Sequence, residues 1–122
     1  MFKIEVESSF SSAHYLRDYQ GKCESLHGHN WRVRVTVEGK KLKGNGLLLD
    51  FGELKQNLKI VLEELDHKNL NEISYFRKNN PTSENIAKFI FGCLKNRLRS
   101  QNHRLKKVTV WENETSSATY SV

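Results

Sequence analysis

From Trp31 to Glu38 the chain alternates without a break: Trp31, Val33, Val35 and Val37 take one set of positions, and Arg32, Arg34, Thr36 and Glu38 the other. Side chains of an extended chain point alternately to the two sides of a sheet. This stretch therefore predicts a strand with one apolar and one polar face. A shorter alternation near the start sets Ile4, Val6 and Ser8 against Lys3, Glu5 and Glu7. Val108 and Val110 begin a third strand, and Ala118 to Val122 suggest a last one.

Helical spacing occupies the middle. Asp50, with Glu53 three residues on, predicts a helix start in the manner of a capping box. Phe51, Leu54, Leu58, Val61, Leu62 and Leu65 then recur every three or four residues as one apolar stripe, which stops at Asp66-His67. Asn79-Asn80-Pro81 breaks the chain, and Thr82 or Ser83 caps a second helix. Its stripe is Ile86, Phe89, Ile90, Cys93, Leu94 and Leu98. The lysine- and glycine-rich stretch from Gly39 to Gly46 reads as a turn, and Gly46 to Leu49 either extends the sheet or leads into the helix. Ser74 to Asn79 carries no assignable motif. The order strand, strand, helix, helix, strand, strand predicts an α+β layer: a four-stranded antiparallel sheet with both helices on one face. Such a sheet has two open edges, and oligomerisation through them would cover both.

The 122 residues, 37% hydrophobic with one proline and seven glycines, fit one folded domain over residues 1–122. The opening MFKIEVESSF has acidic residues where a secretory segment needs an apolar run. Ile86 to Leu94 contains Lys88 and is too short to span a bilayer. A cytoplasmic location is therefore expected, with Cys23 and Cys93 as free thiols and Cys93 as core packing. The formal charge is +6, with loose basic clusters at Lys40, Lys41 and Lys43 and between Lys95 and Lys107. These suit a polyanionic partner or form a solvated basic surface.

The chemistry gathers around Cys23 to Asn30, CESLHGHN. His27 and His29 are two apart at the entry to a strand, so their imidazoles point the same way and can converge on one metal. His14 in SSAHYL is the best third ligand, because pairing of the first two strands would bring it close. Three histidines with an open fourth position describe a catalytic zinc site; the alternative is that HGH is an exposed turn. Cys23 is either a fourth ligand closing a structural site or a thiol beside a base. Asp66 next to His67 offers a carboxylate-held imidazole for proton relay, or only a polar helix end. Glu112 shares the face of Val108 and Val110. It is either a carboxylate carried toward a pocket, fit to accept from the guanidine-like edge of a pterin or guanine, or a strand-end glutamate. His103 lies in a basic polar turn with no identifiable partner.

SSAHYL, CESLHGHNW, LDHKNLN, NPTSEN and VTVWENE stand in the order found in the 6-pyruvoyltetrahydropterin synthase superfamily, which the chain resembles from Phe10 to Tyr120. The resemblance implies the tunnelling fold, with trimers whose sheets join into a barrel, two trimers stacked, and a pocket formed between subunits. It implies one zinc per subunit on His14, His27 and His29. Cys23 would be the catalytic thiol, Asp66 and His67 its proton-relay partners, and Glu112 the pterin-anchoring glutamate. Thr82, Ser83 and Glu84 would be the loop that helps hold the ring. The three residues between Cys23 and HGH look like the bacterial 6-carboxy-5,6,7,8-tetrahydropterin synthase branch of queuosine (7-deazapurine) biosynthesis; animal biopterin enzymes have a longer gap.

The implied activity turns 7,8-dihydroneopterin triphosphate into 6-carboxytetrahydropterin, acetaldehyde and triphosphate, with no nucleic acid or membrane as partner. One rival is the pyruvoyl product from the same residues. A folate-pathway branch, with a glutamate near the position of the cysteine, is a second, since Glu24 is adjacent. Of another class is a non-catalytic zinc module that binds RNA. It requires Cys23 as a ligand and aromatics interleaved with exposed cations, a pattern only faintly present at Trp31 and Arg32.

Overall fold

The computed structural model describes residues 1–122. The expected strands form as β1 (Phe2–His14), β2 (His27–Gly39), β3 (Arg104–Asn113) and β4 (Ser116–Ser121). They make one sheet in the order β1-β2-β3-β4, antiparallel throughout. Trp31, Val33, Val35 and Val37 are all fully buried, so the alternation that marks β2 is the central strip of the core. Val6 and Phe10 of β1 extend that strip on one side, and Val108 and Val110 of β3 on the other.

Helix α1 (Phe51–Glu63) lies against β1, and the longer helix, Ser83–Arg97, lies across β3 and β4. Asp50 caps α1 by accepting from Gly52 N at 3.2 Å. Leu54, Leu58, Val61 and Leu62 face the sheet, whereas Phe51, in the first turn, is 54% exposed and stands outside the expected stripe. Thr82, not Ser83, is the second cap: its Oγ1 accepts from Asn85 N at 3.1 Å. Between these helices runs an element that the sequence does not announce, the five-residue helix α2 (Ser74–Lys78), which makes Ser83–Arg97 helix α3. Five residues are too few for a periodicity to register. Helix α2 is pinned by Phe76, fully buried and packed on Tyr75 and Phe89. Leu48 and Leu49 are buried but join no strand, so this stretch leads into α1 rather than widening the sheet.

β1 is an edge strand covered over part of its length. The loop after α1 lies along Ser11 to Ala13, where His67 N donates to Ser11 O at 2.6 Å and Ala13 N donates to Lys68 O at 2.9 Å. Ser12 Oγ donates to Leu65 O and accepts from Lys68 N. β4, the other edge, is mostly exposed. No helix is long and apolar enough to cross a membrane.

Candidate metal centre and active site

β1 and β2 pair from Phe2 opposite Gly39 to His14 opposite His27. This register makes the cluster. His14 ends β1 directly across from His27, and His29, two residues on, projects to the same side as His27. The ring centroids lie 4.7 Å apart for His14 and His27, 5.2 Å for His14 and His29, and 4.8 Å for His27 and His29. Trp31 is the next residue on that face and closes the floor, its ring 4.9 Å from His14 and 5.0 Å from His29. β3 brings in Glu112, whose Oε1 lies 3.5 Å from His14 Nε2 and 3.3 Å from His29 Nε2. One ligand atom from each of these four residues lies within 4.8 Å of every other.

The protonation pattern suits a cation. His14 is almost wholly buried, and its Nδ1 lies 2.7 Å from Pro81 O. A carbonyl oxygen can only accept, so Nδ1 carries the proton. The neutral ring then turns the bare lone pair of Nε2 toward Glu112. Burial, foremost, pushes the His14 pKa below the ordinary value. His29 is likewise lowered by burial, against the pull of the Glu112 carboxylate. His27 Nδ1 donates to Ser25 O at 2.9 Å, which fixes its tautomer in the same sense. His14 Nε2 and His29 Nε2 are buried without a hydrogen-bond partner. A lone pair facing a carboxylate oxygen is repulsive unless a positive charge lies between them. Three imidazoles and a carboxylate are also the donor types zinc takes. The residues fit the expected metal, and Glu112, not Cys23, is the fourth member of the cluster.

Cys23 is an exposed free thiol outside the cluster. Its loop is nevertheless tied down. Asn71 pairs its amide with the backbone of Tyr15, accepting from Tyr15 N and donating to Tyr15 O, both at 2.9 Å. Asn80 does the same to Arg17, again at 2.9 Å on each side. Between them Glu24 Oε1 accepts from Leu16 N at 3.0 Å, and Glu24 N donates to Leu16 O. The carboxylate next to the thiol is thus held in a backbone hydrogen bond. A two-residue reversal, with Gln20 at φ 51° and Gly21 at φ 83°, closes the loop between Tyr19 and Lys22.

Asp66 and His67 do meet: His67 Nδ1 lies 2.9 Å from Asp66 Oδ1. The same Oδ1 accepts from Ser11 N at 2.9 Å, so β1 positions this pair as well as His14. The Ser11 hydrogen bond is the main reason the Asp66 carboxyl is held below its ordinary pKa, with His67 adding to it. His67 is 82% exposed, and neither residue bonds to Cys23 within the chain. Thr82, Ser83 and Glu84 begin α3 immediately after Pro81, whose carbonyl orients His14.

Three features escape a reading of the sequence: the closeness of Glu112 to the histidines, the Pro81 carbonyl, and the clamp of Asn71, Asn80 and Glu24. The inward face of Glu112 follows from the alternation of β3. Its partner follows only from the register of β3 on β2, where Trp111 lies opposite Arg32.

Comparison with known proteins adds the following. The 6-pyruvoyl tetrahydropterin synthase family matches residues 3–122. A 6-carboxy-5,6,7,8-tetrahydropterin synthase of Synechocystis sp. is 40% identical over 98% of this chain and 93% of its own. A dihydroneopterin monophosphate aldolase of Pyrococcus furiosus is 38% identical over 90% of this chain and 89% of its own. The structure of a Caenorhabditis elegans 6-pyruvoyl tetrahydropterin synthase superposes with a TM-score of 0.86 at 29% identity, covering 99% of this chain and 95% of that one.

Proposed function

Because the chain belongs to the 6-pyruvoyl tetrahydropterin synthase family, we propose that this pterin synthase is a zinc-dependent 6-carboxy-5,6,7,8-tetrahydropterin synthase serving queuosine biosynthesis in the cytoplasm. Its substrate would be 7,8-dihydroneopterin triphosphate, and its products 6-carboxytetrahydropterin, acetaldehyde and triphosphate. The carrying observation is the cluster of His14, His27, His29 and Glu112, in which His14 Nε2 and His29 Nε2 are buried without a hydrogen-bond partner. The three-residue spacing from Cys23 to His27, and the Synechocystis relative, support the carboxy branch over the pyruvoyl one.

When bound, zinc would act as a Lewis acid on the hydroxyls of the substrate side chain. The protein's residues do the rest. Cys23 moves protons to and from the side-chain carbons, for which an exposed thiol on a clamped loop is suited. His67, held by Asp66, relays protons in later steps. One oxygen of Glu112 is turned to the histidines. The carboxylate's remaining acceptor capacity grips the amino-pyrimidinone edge of the ring, beside Thr82, Ser83 and Glu84. Cys23 and His67 make no hydrogen bond to each other within one chain and are both open to solvent. This supports a pocket completed by a second copy in a trimer or hexamer built through the edges of β1 and β4.

The test incubates the zinc-loaded protein with dihydroneopterin triphosphate and identifies the products by mass spectrometry, beside Cys23→Ala. Wild type should release 6-carboxytetrahydropterin and acetaldehyde, and the variant should turn over on the order of 100-fold more slowly or less. A 6-pyruvoyl product would move the protein to the pyruvoyl branch. Unchanged substrate would contradict the enzymatic reading.

A further inference from the structure

β1 ends at His14, and the next three residues leave the sheet. Each of them still commits both of its backbone groups to a single partner. Tyr15 pairs with the Asn71 side-chain amide, Leu16 with Glu24, and Arg17 with the Asn80 side-chain amide. Side chains do here what an adjacent strand does within a sheet.

The three partners come from three parts of the proposed site. Asn71 belongs to the segment that begins with Asp66 and His67 and runs along the end of β1, where Asn69 bridges to Ala13. Asn80 stands next to Pro81, whose carbonyl oxygen meets His14 Nδ1. Glu24 follows Cys23 in the chain. Residues 15–17 thus join the carriers of the relay pair, the metal ligand and the thiol.

Cys23 is exposed, and its place is set by its two neighbours. Lys22 exchanges backbone hydrogen bonds with Tyr19 at 2.8 and 3.1 Å, and Glu24 N donates to Leu16 O at 2.9 Å. The thiol therefore follows residues 16 and 17, the root from which its loop departs. Asn71 fixes Tyr15 on the sheet side of that root and is itself buried. Asn80 fixes Arg17 on the loop side, accepting from Arg17 N and donating to Arg17 O at 2.9 Å each. Its own carbonyl oxygen accepts from Asn85 Nδ2 at 2.8 Å, so the first turn of α3 holds it in turn. A carboxamide offers an acceptor and a donor side by side and matches both groups of one residue; a carboxylate of the same shape offers acceptors only.

We propose that Asn80 is a positioning residue for the Cys23 thiol, acting through Arg17, Leu16 and Glu24. The inference rests on the reading of Cys23 as the thiol that moves protons to and from the substrate carbons. Proton transfer needs the thiol within hydrogen-bond reach of its target, and a displacement of about 1 Å is enough to slow such a step. Releasing Arg17 frees the root of the loop while His14, His27 and His29 keep their places on β1 and β2. The effect therefore falls on turnover rather than on binding of the metal or of the ring.

The test compares wild type, Asn80→Ala, Cys23→Ala and the double variant, all zinc-loaded, by kinetics on dihydroneopterin triphosphate and by amide hydrogen exchange. Asn80→Ala should lower kcat about tenfold or more, with KM within about twofold of wild type. In the Cys23→Ala background the same substitution should cost less than about twofold, because its effect runs through the thiol. The Glu24 amide, whose partner is Leu16 and not Asn80, should exchange about tenfold faster in Asn80→Ala. Zinc content should match wild type. Asn80→Asp keeps an acceptor for Arg17 N but sets a carboxylate oxygen against Arg17 O. It should behave as Asn80→Ala does, and it takes the place of that variant if alanine prevents folding.

Unchanged kcat in both Asn80 variants would overturn the proposal. So would an equal fold-loss in the two backgrounds, wild-type exchange at Glu24, or loss of zinc from Asn80→Ala. Wild type that leaves dihydroneopterin triphosphate unchanged would end the enzymatic reading, and exchange at Glu24 would then decide alone whether Asn80 holds the thiol loop.

Discussion

The two ends of β2 hold the same kind of atom in different company. At one end His14 Nε2 and His29 Nε2 are buried without partners against the Glu112 carboxylate. At the other, His103 Nδ1 is buried without a partner, and the charges that act on the ring are those of Lys43 and Glu53. An imidazole offers a lone pair or a proton according to its tautomer, so by itself it does not choose the sign of its ligand. The neighbours choose it. Rings whose Nδ1 protons are committed to Pro81 O and Ser25 O turn their Nε2 lone pairs toward a cation.

Glu112 gives the histidine end its negative charge. Glu112→Gln removes the negative charge from the histidine end while keeping its shape. Zinc affinity, measured by competition with a chelator, should fall about 10- to 100-fold. A variant that holds zinc as firmly as wild type would take the carboxylate out of the metal's surroundings. Gly39→Ala acts at the other end. The added methyl collides with the Asn102 carbonyl oxygen and the Leu48 side chain and forces the 100–103 turn off β2. Stability to urea should drop by about 1–3 kcal/mol with zinc content unchanged. Unaltered stability would mean that the turn does not need this close approach.

Asp66→Asn has the smallest effect and concerns acid. The Asp66 carboxyl is held below its ordinary pKa by Ser11 N first and His67 next. Its stabilising contribution is therefore present above the ordinary carboxylate range and is lost as pH falls through the lowered value. Urea unfolding followed from neutral pH downward through about pH 4 should show a shallower loss of stability in Asp66→Asn than in wild type. Parallel curves would mean that the tie to β1 contributes nothing.

Much of this was legible in the residues because one face of the sheet is buried. A buried face fixes strand register, and alternation reveals it. The spacing of His27 and His29, with His14 at the end of the preceding strand, was enough to expect a convergence that the β1–β2 register produces. Helices α1 and α3 were legible from stripes and caps, except that Phe51 falls in the first turn, where the helix does not yet face the sheet. What stayed hidden depends on contacts without periodicity. Helix α2 is held by a single buried phenylalanine, and the Cys23 loop by side-chain amides from residues about 60 positions away. The approach of Asn102 to Gly39 depends on where two polar turns end, which no pattern within either turn encodes. The approach of Glu112 to His29 needed the β2–β3 register as well as the face.

The proposed function requires that His14, His27 and His29 hold the metal while Cys23 stays free of it. Zinc content after exhaustive dialysis, measured by elemental analysis on wild type, His27→Ala and Cys23→Ala, tests it directly. About one zinc per chain is expected in wild type and in Cys23→Ala, and a small fraction of that in His27→Ala. Equal loss of zinc in both variants would make Cys23 a ligand and contradict the division of labour between thiol and metal.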